Sequence, residues 1–193
     1  VYGPLAETIR TQRLVLEPLA VHHADEMDAV LDDPRLHRYI GGEPLSTDEL
    51  RAHYAHLVAG PAPFHQECWL NWIVRRYRDG QAIGYVRATV TPAAPGFAVA
   101  PASTGSTVTP GPARLFASVA WVIGTPYQGF GFATEAARAL LGWLRDSGVH
   151  DIVATVHPDN RPSAAVAAKL GLHRTGETTP DDEDVWRLPR TPP

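Results

Sequence analysis

Cysteine occurs once in the 193 residues, at Cys68, so an internal disulfide is excluded. A lone thiol suits the reducing cytoplasm. No apolar run approaches the ~20 residues that a membrane-spanning helix requires. The first residues also lack the basic-then-apolar pattern of a secretory leader. The expectation is a cytoplasmic protein with no membrane partner. A basic excess is missing too: 17 Lys and Arg face 21 Asp and Glu, for a net charge of −4. That argues against nucleic acid as the main partner, because a phosphate-binding surface needs surplus positive charge. The same balance mildly favours a cationic partner such as an amine.

What is present fits a folded domain. The apolar fraction is 44% and the charged fraction 20%, both ordinary for a globular chain. The length suits one domain, residues 1–193, with a large core. Residues 11–17 alternate as a strand does, and 21–32 carry helical spacing up to Asp33-Pro34. Ser46 and Glu49 make a capping box, which predicts a helix over 47–58 stopped by Gly60-Pro61. Runs 68–77 and 81–90 are β-rich and joined by the turn chemistry of Arg78-Asp79-Gly80. Residues 92–112, rich in Pro, Gly, Ala, Ser and Thr, read as a long excursion between two strands of one sheet.

A strand over 115–123 then enters a glycine turn that opens into a helix. Ala133, Ala137, Leu140, Leu141 and Leu144 share one face of that helix, with Glu135, Arg138 and Arg145 outward. Next come a strand over 151–156, a Pro-Asp-Asn turn, a helix from Pro162 to Gly171, strands over 172–177 and 184–188, and a loose tail, 189–193. The order β-α-α-β-β-β-α-β-α-β-β predicts an α/β fold with helices on the faces of a mixed sheet.

A glycine-rich turn feeding a helix is a natural anion site, because its N–H groups and the helix dipole both favour negative charge. Taken alone, the turn fits a plain structural role better. It is not a dinucleotide fingerprint, since no third glycine follows Gly131 in the turn. It is not a Walker loop either, since no Gly-Lys-Ser/Thr follows.

The segment Gln128-x-x-Gly131-x-Ala133 resembles the Gln/Arg-x-x-Gly-x-Gly/Ala signature of the GNAT N-acetyltransferase superfamily. The longer string from Thr125 to Leu141 resembles its ribosomal-protein N-terminal acetyltransferase branch. Three further blocks match in order: Thr11-x-Arg13-Leu14-x-Leu16, Gln81-Ala82-Ile83-Gly84-Tyr85-Val86, and Ala154-x-Val156-x-x-x-Asn160-x-x-Ser163 ending in Lys169-Leu170-Gly171-Leu172. The resemblance spans about residues 11–188. It implies the GNAT fold, a mixed, mostly antiparallel sheet of six or seven strands with helices on both faces.

The resemblance also implies direct acetyl transfer from acetyl-CoA to a primary amine, by a monomer or homodimer. The acceptor would be a protein N-terminus or a small cationic amine. Gln128, Gly129, Phe130, Gly131, Phe132, Ala133 and Thr134 would form the CoA pyrophosphate loop, with Thr134 as helix cap or phosphate donor. Trp121, Val122 and Ile123 would pair with the pantetheine amides, and one of their N–H groups would polarise the thioester carbonyl. Asn160 would bond the pantetheine arm, or simply cap its helix.

Two usual catalytic groups are missing. Ser118 stands where many relatives carry a glutamate, and Ala167 where many carry a tyrosine. The resemblance to the ribosomal branch implies that Ser163, three residues after Asn160, is the candidate acid for the thiolate and part of the cofactor site; a plain first-turn helix residue is the alternative. His157 is the candidate base, since an ordinary imidazole titrates near neutrality. The acidic run Asp181-Asp182-Glu183-Asp184 could attract or deprotonate an amine, though a solvated turn explains most of it. His22, His23, His37, His53 and His65 fall in the region that usually shapes the acceptor pocket. His53 and His56 lie three apart, but no third ligand has metal-site spacing, so no metal is expected.

Overall fold

The computed structural model describes residues 3–92 and 114–189. The predicted excursion and tail fall almost wholly outside the described residues. One sheet organises the rest. Its eight strands are β1 (Ile9–Arg10), β2 (Leu14–Pro18), β3 (Cys68–Arg76), β4 (Ala82–Pro92), β5 (Leu115–Ile123), β6 (Val149–Val156), β7 (His173–Thr178) and β8 (Asp184–Arg187). They lie in the order β1-β2-β3-β4-β5-β6-β8-β7. Every pairing is antiparallel except β5 with β6, which the helix between them makes parallel. The helices are α1 (Ala24–Leu31), α2 (Pro34–Ile40), α3 (Thr47–Ala59), α4 (Phe132–Asp146) and α5 (Arg161–Lys169).

The pleat sorts the core into two layers. On one face Leu70, Trp72 and Val74 of β3 and Val86 and Ala88 of β4 meet Leu140, Leu141 and Leu144 of α4, all buried. Each such aliphatic side chain contributes about 1.5–3 kcal/mol by leaving water. On the other face Ile73 packs against Ala24 and Met27 of α1 and Leu50 and Tyr54 of α3. Trp69 and Trp72 divide accordingly: Trp72 is buried against Trp143 of α4, whereas Trp69 stands edge-on to His56 of α3. Helices therefore cover both faces, as expected.

Several expectations are corrected. The sheet has eight strands rather than six or seven, because Ile9 and Arg10 pair with Leu16 and Val15 to add an edge. Residues 11–17 are not one strand: the Thr11 N–H donates to the Leu14 carbonyl at 2.9 Å, turning the chain before β2 begins. Residues 21–23 form a 3₁₀ turn ahead of α1. Asp33-Pro34 does more than stop a helix. The Asp33 side chain accepts the Arg35 N–H, with Pro34 in the first turn, so a further helix, α2, starts there. The strand expected from residue 151 begins at Val149.

Candidate functional site

The sheet is opened where β5 and β6 part. Their pairing runs from Leu115 with Val149 to Val119 with Ala154 and stops there, while β5 stays paired with β4 as far as Ile123. The Gly124 N–H donates to Ile83 on β4 at 2.8 Å. Alternation along the strand then turns the backbone polar groups of Ile123 and Trp121 toward the open edge. β4 and β5 are held unusually close at this point. A Cβ on Gly84 would fall 2.1 Å from the Val122 carbonyl oxygen, so only glycine fits. Gln128 fixes the end of the edge by donating from Nε2 to the Ile123 carbonyl at 2.8 Å.

The glycine turn follows. Gly129 and Gly131 both have φ of 81°, and Gly131 caps α4 in the left-handed region. The first intrahelical bond is from the Glu135 N–H to the Gly131 carbonyl, 3.0 Å. The N–H groups of Phe132, Ala133 and Thr134 precede it, and no side chain caps them. Thr134 is therefore not the helix cap. Neither is Glu135 turned outward: it binds Thr11 and Arg13 at the start of β2. Arg13 also donates to the Phe130 carbonyl at 3.0 Å and lies 4.7 Å over the Phe132 ring, so a guanidinium runs beside the turn. Phe130 itself is exposed. In the sequence Arg13 is part of a strand-like block, and nothing local signals its reach to residue 135.

A cleft of about 510 Å³ occupies the α1–α3 face of the sheet beside the open edge. Val119 to Val122 and Thr155 to His157 enter it from the two parted strands, with Asn160 and Ser163 at the start of α5. Thus Trp121, Val122, His157, Asn160 and Ser163 are brought together, while Ile123 and residues 128–134 lie outside the cleft. Tyr39 and the loop after α2 form one wall, and His53, Tyr54 and Leu57 of α3 another. On the floor are Asn71, Tyr85 and Arg87, which share a face because alternate strand residues do. That alternation was readable in the sequence, but the missed helix α2 hid the wall that makes these residues a floor.

Individual groups take definite roles. Asn160 caps α5, its Oδ1 accepting the Ser163 N–H at 3.2 Å. The Ser163 hydroxyl and the Asn160 amide have no hydrogen-bond partner among the described residues. His157 Nδ1 accepts the Asp159 N–H at 3.1 Å, and its ring lies 5.7 Å from that of Tyr39. A neutral His157 therefore carries its proton on Nε2 and presents a donor. In the acidic run, Glu183 reaches the cleft, and Asp184 is buried and paired with Arg174. Asp181 and Asp182 are exposed.

Of the five scattered histidines, His37 and His53 line the cleft. His23 is buried elsewhere, His22 is exposed, and His65 lies 3.5 Å from Glu67. Burial, then His56 and Arg87, push the His53 pKa below its usual value. Burial raises that of Tyr54. Both groups are uncharged at neutral pH. The two departures from family pattern also have a physical setting: Ser118 is exposed and outside the cleft, and Ala167 is fully buried in the core. Among the described residues no group of three or more His, Cys, Asp or Glu is placed to hold a metal ion. No helix among them is long and apolar enough to cross a membrane.

A sheet parted beside a glycine turn is the architecture of an acyltransferase domain, and comparison with known proteins agrees. The acetyltransferase (GNAT) domain family matches residues 13–173, and the chain belongs to that family. The chain is 41% identical over 72 residues to the uncharacterized N-acetyltransferase YnaD of Bacillus subtilis, a stretch covering 35% of this chain and 42% of that protein. A candidate ribosomal-protein-serine acetyltransferase from Vibrio cholerae has a similar fold, with a TM-score of 0.69 at 19% identity over 94% of this chain and 97% of that one. So does an aminoglycoside acetyltransferase solved with coenzyme A, with a TM-score of 0.65 at 20% identity over 92% and 94%.

Proposed function

We propose that the protein is an acetyl-CoA-dependent N-acetyltransferase that acylates a primary amine directly, the amine being a protein N-terminus or a small molecule. The observation that carries this is the parting of β5 and β6 after Val119, which leaves one edge of β5 unpaired next to an uncapped helix N-terminus. The chain's residues fit acetyl-CoA on physical grounds. The N–H groups of residues 129–134, with Arg13 alongside, suit a pyrophosphate. The Thr134 hydroxyl, free of capping, adds a donor. Trp121 and Ile123 offer strand-edge groups for the pantetheine amides, and the Asn160 amide adds a side-chain donor.

The thioester supplies an activated acyl group; the protein must place the amine and manage two protons. A strand N–H at the open edge would stabilise charge developing on the carbonyl oxygen. Ser163, at the mouth of α5, is the donor to the departing sulfur. His157, read from sequence as the base, faces the cleft as a donor and is assigned an orienting role. The amine's proton goes to Glu183, directly or through water, since this acidic residue lines the cleft. The assay is release of free thiol from acetyl-CoA across a panel of amines. CoA binding without turnover on any amine would instead indicate an acyl-CoA sensor, a reading favoured by Ser118 and Ala167. Absence of CoA binding overturns both.

A further inference from the structure

The cleft floor carries one positive charge, on the exposed residue Arg87. Arg87 lines the cleft, and its guanidinium has no ion pair, hydrogen bond or ring partner among the described residues. Four arginines of the other strands are engaged: Arg75 binds Glu17 and Glu26, Arg76 binds Asp79, Arg174 binds Asp184 and Arg187 binds Asp151, whereas Arg10 on the edge strand has no such partner among the described residues. Glu43 and Glu183 also line the cleft, yet neither pairs with Arg87.

Two uncharged groups share the cleft with this cation. His53 stands on the α3 wall, close enough for Arg87 to push its pKa down. Tyr54 is only 5% exposed, lines the cleft, and its hydroxyl is buried without a hydrogen-bond partner. Leaving a buried hydroxyl unpaired costs about 1–3 kcal/mol, which an incoming acceptor atom would relieve. One cation with neutral hydrogen-bonding neighbours matches a monoanion; a doubly charged phosphate would call for more positive charge.

Position completes the argument. Arg87 is paired with Ala120, one strand spacing, about 5 Å, from the open edge of β5. Glu183 lies beyond that edge, next to β8, which pairs with β6. The parted strands therefore run between a carboxylate on one side and a guanidinium on the other. An acceptor carrying both an ammonium and a carboxylate fits this polarity.

We propose that Arg87, with His53 beside it and Tyr54 in the same cleft, is a carboxylate subsite, and that the acceptor is an amino acid or a similarly small amine bearing a carboxylate. This rests on the N-acetyltransferase reading and narrows it.

The test compares amino acids with their C-terminal amides as acceptors, in the wild type and in Arg87→Ala and Arg87→Lys. The amide's amine is the weaker base and is more fully deprotonated near neutrality, so intrinsic reactivity favours the amide. The expected result is the reverse: at least about tenfold higher kcat/KM for the acid form. That ratio should collapse toward one in Arg87→Ala and survive in part in Arg87→Lys. Equal use of acids and amides, or a preference that Arg87→Ala leaves intact, overturns the proposal.

A second measurement needs no turnover. The His53 ring is followed by NMR in the CoA-loaded protein while amino acids or their amides are added. Acids alone should shift it, and only when Arg87 is present; no acid-selective shift overturns the subsite. If that shift occurs but no amine is acetylated, the N-acetyltransferase reading fails while the subsite stands.

Discussion

Arg13 and Glu135, 122 residues apart, form an ion pair of 2.7 Å that ties the start of β2 to the first turn of α4. Glu135 also accepts the Thr11 hydroxyl at 2.6 Å and the Arg13 N–H at 2.9 Å. The consequence is that the glycine turn is held from outside as well as by its own conformation. Burial would raise the Glu135 pKa, but these hydrogen bonds outweigh it and the net shift is downward.

A carboxylate whose folded pKa is depressed stabilises the protein above its unfolded pKa, and that stability is lost as pH falls through the folded value. Glu135→Gln should therefore cost about 2 kcal/mol near neutral pH. The gap between variant and wild type should close in acid. Urea unfolding at several pH values measures it. A gap of equal size at pH 3 and pH 7 would show that the charge is not what matters.

Gly84→Ala places a methyl group against backbone, since the added Cβ would lie 2.1 Å from the Val122 carbonyl oxygen and 2.9 Å from the Ile123 Cα. Neither atom belongs to a flexible side chain. β5 must shift, at a cost of about 1–3 kcal/mol or more. Because Trp121 and Ile123 sit on that segment, affinity for CoA should fall together with melting temperature. Stability lost with unchanged CoA affinity would mean that the open edge is not the cofactor's place.

The sequence exposed the frame of this site better than its walls. The capping box at Ser46 and Glu49 formed as expected, with Ser46 accepting from the Glu49 N–H. The amphipathic run of α4 buried Ala137, Leu140, Leu141 and Leu144. These are local patterns, set within one or two turns of chain. What escaped depended on distance in sequence. The pairing of Glu135 with Arg13 needs β2 laid beside α4, and the floor made by Asn71, Tyr85 and Arg87 needs α2 and α3 in place above it. Alternation put Arg87 on one face of β4 but could not say that the face was a cleft.

Asn160 separates two roles that the sequence left open. Its Oδ1 caps α5 by accepting the Ser163 N–H, while its amide is unengaged among the described residues. Asn160→Asp keeps the cap and removes the amide donor; Asn160→Ala removes both. The aspartate variant should hold its stability while CoA binds more weakly, and the alanine variant should lose about 1 kcal/mol as well. Calorimetric titration with CoA alongside thermal unfolding tells them apart. If the aspartate variant binds CoA as tightly as the wild type, Asn160 is a helix cap and nothing more.

Ser163 bears the proposed acid role because Ala167, one turn further along the same face of α5, is fully buried in the core and does not line the cleft. Ser163, by contrast, lines the cleft with an unengaged hydroxyl. Its contribution to the Asn160 cap is through the backbone N–H, so Ser163→Ala leaves that bond in place. CoA affinity and melting temperature should then change little. The rate of thiol release should fall about 100-fold, as loss of a positioned proton donor does. A departing thiolate is easier to release as pH rises, so the deficit should narrow in alkaline buffer. Measuring kcat from pH 6 to pH 9 decides the matter: a variant as fast as the wild type throughout would move the proton donor elsewhere in the cleft, with the Nε2–H of His157 next in line.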